Sequence, residues 1–257
     1  MSIKIKTPKD IETLREGGKR HAFILSEVAK AVVPGVSAKD LDDLATRLIE
    51  EGGDKAAFLG YKPRGAKRPY PASLCVSIND EVVHGIPNES RKILKEGDIV
   101  TLDLGLMHGG LITDMAITVP VGVVDAKAVK LMKATEKALE LGIKAAGPNR
   151  TVGHIGEAVE SYIVPLGFGI VEELAGHGVG YSVHEDPFVP NYGKAGEGVP
   201  LVPGMVIAIE PIVSEGDSRI KLDSDGYTYR TKDGSRAAHF ERTVVITENG
   251  CEILTQL

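Results

Sequence analysis

Two histidines stand seven residues apart among glycines in GHGVGYSVHEDP, residues 176–187, in a chain with only seven histidines. Four acids share the same chemical vocabulary: Asp103 and Asp114 in TLDLGLMHGGLITDMAITV, Glu210 in MVIAIEPIV and Glu241 in AAHFERTVVI. Asp103 and Asp114 are equidistant from the His108–Gly109 link. A hairpin turning there sets the two carboxylates directly opposite, with Cβ atoms about 4.5–5.5 Å apart. Like charges repel in that position, and a bound cation turns the repulsion into attraction. The alternative is a register shifted by one or two residues, with both aspartates solvated.

Glu210 and Glu241 lie in strongly apolar β sequence, where an isolated carboxylate is costly unless neutralised or paired. They are symmetric about Asp225–Gly226, but Pro211, Gly216 and Gly234 intervene, which implies proximity and not a continuous ladder. For either glutamate alone, a nearby Lys or Arg would suffice. Four acids and an imidazole together suit two divalent ions sharing bridging carboxylates. Oxygen-rich ligation with one nitrogen favours Mn, Fe(II), Co or Zn over a thiolate-type site. His177, between Gly176 and Gly178, has the bare backbone that lets a side chain approach such a cluster. His184 is then left to serve a substrate.

These groups need a scaffold. TPKD at 7–10 reads as a helix start, with Thr7 as N-cap, Pro8 next and Asp10 closing a capping box. Ile11, Leu14, Ile24, Leu25 and Val28 follow at near-helical spacing. Ser37 opens a second helix that buries Leu41, Leu44, Leu48 and Ile49. A third is expected over about 126–146, and Thr151 opens a fourth carrying Ile155, Val159 and Ile163. Each pair leads into β sequence: SLCVSIN, DIVTLDLGL and LITDMAITVPV first, then MVIAIEPIV, YTYRT and HFERTVVIT. The two units are offset by about 114 residues, Ser37 against Thr151, with no linker-like stretch between them. One domain, 1–257, made of two pseudo-repeats of roughly 1–122 and 123–257, is expected. A cleft between such halves is a natural place for a site.

At 257 residues the chain can bury a substantial core, and its 42% hydrophobic and 26% charged residues are ordinary soluble-globular values. A net charge of −6 argues against nucleic acid or anionic membrane as a general partner. No apolar run approaches the roughly 18 residues of a membrane span. Cys75 and Cys251 have neither metal-site spacing nor the number of a disulfide scaffold. A cytoplasmic protein is expected.

With these residues assembled, the chain resembles the bacterial-type, type I methionine aminopeptidases of the M24 peptidases. The resemblance runs over essentially its whole length, through INDEVVHGIP, DIVTLDLGLMHGGLITDMAITV, GHGVGYSVHEDP, IAIEPIV and HFERTVVITENGCEILT in family order. It implies an α+β class and the pita-bread fold, with outer helices over a curved antiparallel sheet. It assigns Asp103 to one of two divalent metal ions, His177 and Glu210 to the other, and makes Asp114 and Glu241 bridges. The implied reaction removes the N-terminal methionine of nascent polypeptides, preferring a small second residue, by a metal-activated water. Glu210 would move protons, His184 would attend the carbonyl side, and His84 would hydrogen-bond the peptide nitrogen.

The implied methionine pocket is Phe58, Tyr61, Tyr70, Cys75 and Tyr227 beside His84 and His184. Phe58 is bulkier than the cysteine usual in familiar bacterial members, Val183 replaces an aromatic, and Tyr227 replaces a tryptophan. KPRGAKRP, 62–69, looks inserted. Its Lys62, Arg64, Lys67 and Arg68 are either a solvated loop or, by the family's co-translational role, a contact to the ribosome. A monomer is expected. One rival is a proline-directed aminopeptidase or dipeptidase on the same fold. Another is a non-enzymatic binding protein that has lost its metals, which the five retained ligand positions oppose. His21 on a helix, His108 in the turn and His154 near a helix start read as structural. His239 stands two residues before Glu241, so a regular strand puts both on one face.

Overall fold

Capping chemistry starts the helices at the expected residues. In the computed structural model, which describes residues 3–63 and 65–256, Thr7 accepts the Asp10 amide while Asp10 takes the Thr7 amide. Helix α1 runs Pro8–Lys30 from that box, and Ser37 with Asp40 repeats it to open α2, Ala38–Glu51. Asp125 caps α3, Ala126–Ala145, and Thr151 opens α4, Val152–Ile163. His154 acts there as a cap, its Nδ1 accepting the Thr151 N–H at 3.0 Å. Arg64 lies outside the described residues.

The apolar faces of α1 and α2 bury Leu25, Val28, Leu41 and Ile49 against strands Leu74–Ile78 and Ile99–His108, forming one core. Those of α3 and α4 bury Leu131, Ile155, Val159 and Ile163 against Val206–Ile209 and Arg242–Thr247, forming another. Asp42 of α2 accepts the Ser73 and Leu74 amides at 2.9 and 3.0 Å, which anchors the helix to its strand. Strand pairing is antiparallel throughout the described residues. Leu74–Ile78 and Leu111–Pro120 flank Ile99–His108. A second sheet orders Gly250–Ile253, Arg242–Thr247, Val206–Ile209, Gly176–Gly178 and Glu185–Val189. No helix among the described residues is long and apolar enough to cross a membrane.

Two expectations need correction. The hairpin turns at Gly109–Gly110, not at His108–Gly109, because His108 still pairs with Leu111. A two-residue turn of this hand needs positive φ at both central positions, and the two glycines supply it at 56° and 84°. Asp103 therefore faces Ala116, and Asp114 faces Gly105, leaving the two acids diagonal instead of opposite. The displacement is by two residues, so both stay on the same face of the sheet and both are buried.

The second correction concerns the strands that carry the glutamates, each of which is broken in two. MVIAIEPIV forms Val206–Ile209 and Ile212–Ser214, and HFERTVVIT contributes to Ala237–His239 and Arg242–Thr247. Pro211, at one break, has no N–H to give a ladder. A single register nevertheless spans both sides, pairing Ile209 with Arg242 and Ile212 with His239. That register sets Glu210 opposite Glu241 in the gap.

Candidate metal centre and active-site cavity

Three hydrogen-bonded stitches, two of them through threonine hydroxyls, bring the acids of the two halves together. Thr243 Oγ1 accepts the Asp114 N–H at 2.8 Å and donates to the Asp114 carbonyl at 2.7 Å. The Glu241 N–H donates to Ala116 O at 2.9 Å, and Thr118 Oγ1 bonds both the N–H and the carbonyl of His239 at 2.9 Å. Each stitch joins strand Leu111–Pro120 to the segment 237–243. Asp114 and Glu241 come from distant sequence but share one seam.

His177 completes the cluster from the neighbouring strand Gly176–Gly178. Its Nδ1 lies 2.9 Å from Gly178 O, a contact that requires the proton on Nδ1 and leaves Nε2 as an acceptor. That Nε2 is 3.5 Å from Glu210 Oε1 and 3.9 Å from Asp114 Oδ2. One donor atom each from Asp114, His177 and Glu241 lie within 4.8 Å of one another, a spacing a metal ion can span. The flanking glycines have a different reason from the one expected. A Cβ at Gly176 or Gly178 would stand 2.3 Å from Ala208 O or Asp186 O, so they admit the adjacent backbone.

The electrostatics call for a cation. Asp103, Asp114, Glu210 and Glu241 are all buried, and among the described residues the ion-pair partners of Asp114, Glu210 and Glu241 are histidines, not Lys or Arg. Burial, reinforced by the neighbouring acids, raises Asp114 and Glu241 well above the carboxylate range, and burial lifts Asp103 to about 7. Asp103 Oδ1 and Glu241 Oε1 have no hydrogen-bond partner. Buried carboxylates with unused oxygens around an imidazole acceptor fit divalent ions of the kind the donor set favours.

A cavity of about 510 Å³ opens over this cluster. Phe58, Tyr61, Tyr70, Cys75, Val183 and Tyr227 line it together with His84 and His184, so the expected pocket residues do converge. Tyr70 and Tyr227 meet edge to face at 5.2 Å, with Tyr70 O–H bonded to Gly85 O and Tyr227 O–H to Arg68 O. Cys75 pairs with Asp103 across the sheet, and burial pushes its thiol well above the ordinary range. Tyr61 Oη and His184 Nδ1 are 2.8 Å apart, and the His184 ring meets His177 edge-on at 4.4 Å. His184 is solvent-accessible at the rim, yet surrounding protein lowers it to about 3, with His177 and His84 adding to the effect. Burial lowers His84 to about 4. Both imidazoles are neutral near pH 7.

The structure adds participants beyond the expected site residues. Leu174, Leu222 and Tyr229 also line the cavity. His239 is buried with both ring nitrogens unpartnered, and its Nε2 lies 3.4 Å from Glu210 Oε2. Its place two residues before Glu241 was the available signal. The inserted stretch is part of the cavity wall through Pro63, Gly65 and Ala66. Lys62 and Lys67 are exposed, whereas Arg68 is tied to Glu89 and to Asp225 O. His21 is fully buried against Thr113, and His108 pairs with Asp54 at 2.7 Å, both away from the cavity lining.

Known proteins similar to this chain are peptidases. Residues 12–248 match the model of metallopeptidase family M24. A methionine aminopeptidase of Aquifex aeolicus is 47% identical over 259 residues, covering all of both chains. The crystal structure of a methionine aminopeptidase from Thermotoga maritima superposes with a TM-score of 0.95 at 44% identity, again over all of both chains. Prolidase from Pyrococcus furiosus shares the fold at TM-score 0.76 and 23% identity, and this chain covers 65% of it. The architecture is the expected α+β pita-bread fold. The chain belongs to the M24 metallopeptidases, within the bacterial-type methionine aminopeptidases.

Proposed function

We propose that this metalloaminopeptidase, which removes N-terminal methionine, works with two divalent ions held by Asp103, Asp114, His177, Glu210 and Glu241. All five would act as ligands, and Mn, Fe(II), Co and Zn all suit the donor set. The observation that carries it is the convergence of buried acids on the His177 acceptor with no Lys or Arg ion pair among the described residues. When bound, the ions supply Lewis acidity and a nucleophile from water at neutral pH.

The protein groups do the rest. Glu210 takes the proton released by the attacking water and passes it to the departing amine nitrogen. Neutral His184, at the rim, orients the scissile carbonyl and meets charge developing on its oxygen. Neutral His84 hydrogen-bonds the peptide nitrogen. Phe58, Tyr61, Tyr70, Cys75 and Tyr227 form an apolar pocket that suits an unbranched, polarisable methionine side chain. In this reading the second residue of the substrate would be small, as the family resemblance implies.

The reading extends to the whole chain: one catalytic domain, 1–257, with pseudo-symmetric halves 1–122 and 123–257, acting as a cytoplasmic monomer on nascent N-termini. The exposed Lys62 and Lys67 support a ribosome contact by the 62–68 loop, while the Arg68–Glu89 pair weakens it. Chelation followed by metal add-back tests the core of the proposal. Stripped protein should lose release of Met from a Met-Ala peptide and regain it with Mn, Co or Fe(II). Asp114→Asn should abolish activity with helical content retained. Full activity in the chelated enzyme would falsify the metal mechanism.

A further inference from the structure

The turn that leads into His184 is gripped from outside the cavity by the N-terminal segment. Lys6 is almost fully buried, with its ammonium 2.6 Å from Glu185 Oε2. The other Glu185 oxygen accepts the N–H groups of Tyr181 and Ser182 at 2.6 and 2.9 Å, closing the turn just before the histidine. Lys6 is itself fixed, its N–H bonded to Gly204 O at 2.9 Å and its ammonium 5.1 Å from the Tyr181 ring centre. The Tyr181 O–H donates at 2.7 Å to Asp10, the residue that closes the α1 capping box. The Lys6 stem presses on Gly180 so closely that a Cβ there would stand 2.4 Å from Lys6 Cε.

A lysine placed only to cover apolar surface keeps its charge in water. Here the charge is carried inside, at a desolvation cost that only a specific partner offsets. That partner is the carboxylate that shapes the turn ahead of His184. Tyr61 meets the histidine from the cavity side, so the ring is held from two directions.

We propose that Lys6 is a positioning residue for the reaction: acting through Glu185, it fixes the 180–185 turn so that His184 faces the scissile carbonyl. The inference rests on the role given to His184 above. It is distinct from a general stabilising role, because its effect passes through one side chain.

The test compares Lys6→Met, Glu185→Ala, His184→Ala and the Lys6→Met/His184→Ala and Lys6→Met/Glu185→Gln pairs on a Met-Ala peptide. Bound metal and Tm are measured for each, and assays run well below every transition. Misplacing a reacting group by about 1 Å costs on the order of 100-fold, so Lys6→Met and Glu185→Ala should each lower kcat by roughly 10- to 100-fold. KM and bound metal should stay near wild type. In the His184→Ala background, Lys6→Met should lower kcat no further. Lys6→Met/Glu185→Gln strands no charge and keeps an oxygen for both amides, so it should recover most of kcat. Glu185→Ala gives the same comparison where Lys6→Met does not fold. Undiminished kcat in the folded single variants, or losses that multiply in full with His184→Ala, would overturn the proposal. If His184→Ala itself leaves kcat unchanged, the role of His184 fails and takes this inference with it. Failure of Lys6 alone leaves His184 standing.

Discussion

The Phe58 ring, part of the cavity lining, occupies space that Gly105 leaves empty. A Cβ built on Gly105 would stand 2.6 Å from Phe58 Cε1, 2.8 Å from Cδ1 and 3.1 Å from Ala57 Cβ. Ordinary carbon–carbon contact is about 3.5–4.0 Å, so Gly105→Ala must move the ring by about 1 Å. The backbone at Gly105 does not require glycine, since its φ is outside the left-handed region. Phe58 already lines the cavity, so the room available to the ring lies where a substrate side chain would go. A misfit of one methylene in an apolar pocket is worth about 1–3 kcal/mol, or roughly 5- to 150-fold in kcat/KM.

Gly105→Ala should therefore lower kcat/KM on Met-Ala by about 10-fold, mostly through KM. A shorter first side chain, norvaline, should lose much less. Phe58→Cys should retain activity and alter the Met/norleucine ratio, and on that background Gly105→Ala should cost little. The assay is a double-mutant cycle read on the Met, norleucine and norvaline peptides, with bound metal measured because Gly105 faces Asp114 across the hairpin. Equal losses on Met-Ala and norvaline-Ala, or the same loss with and without Phe58, would refute the packing argument.

Peptide selectivity gives a second check: Met-Ala should be cleaved far faster than Met-Leu, and Lys-Ala should be rejected because burying an unpaired charge is costly. Equal cleavage of Met-Leu and Met-Ala would show that the second site is misassigned. A third concerns acid stability. His21 is fully buried and burial lowers it to about 3, so below pH 6.5 the unfolded chain binds a proton that the folded chain does not. Stability from this group is complete above pH 6.5 and is lost as pH falls toward 3, amounting to about 3 kcal/mol by pH 4.5. His21→Gln should flatten the fall in Tm between pH 7 and 4.5 relative to wild type, and parallel curves would contradict the assignment. Fourth, reversing the charges of Lys62, Arg64, Lys67 and Arg68 should weaken ribosome co-sedimentation at low salt. No change there would remove the loop as an anchor, and a changed KM would mark it as cavity wall alone.

The acids were legible because period-two geometry forgives an even error. Moving the turn from His108–Gly109 to Gly109–Gly110 replaced a direct pair by a diagonal one and left both aspartates on one face. An odd slip would have sent one of them to the other face, and pattern alone cannot exclude that. Glu210 and Glu241 were readable as neighbours for a related reason: one register survives the break at Pro211. What pattern could not supply was contact at long range. His239 carries no spacing signature beyond its place before Glu241, and only packing brings its unpartnered ring to Glu210. Gly176 and Gly178 looked like room for a histidine, whereas their missing Cβ atoms make room for Ala208 and Asp186 backbone. The basic loop read as free charge until Glu89, 21 residues on, took up Arg68. Local rules report which groups must be satisfied, and the fold decides by what. For the four acids among apolar neighbours, the demand itself was informative, because few partners other than a cation could meet it.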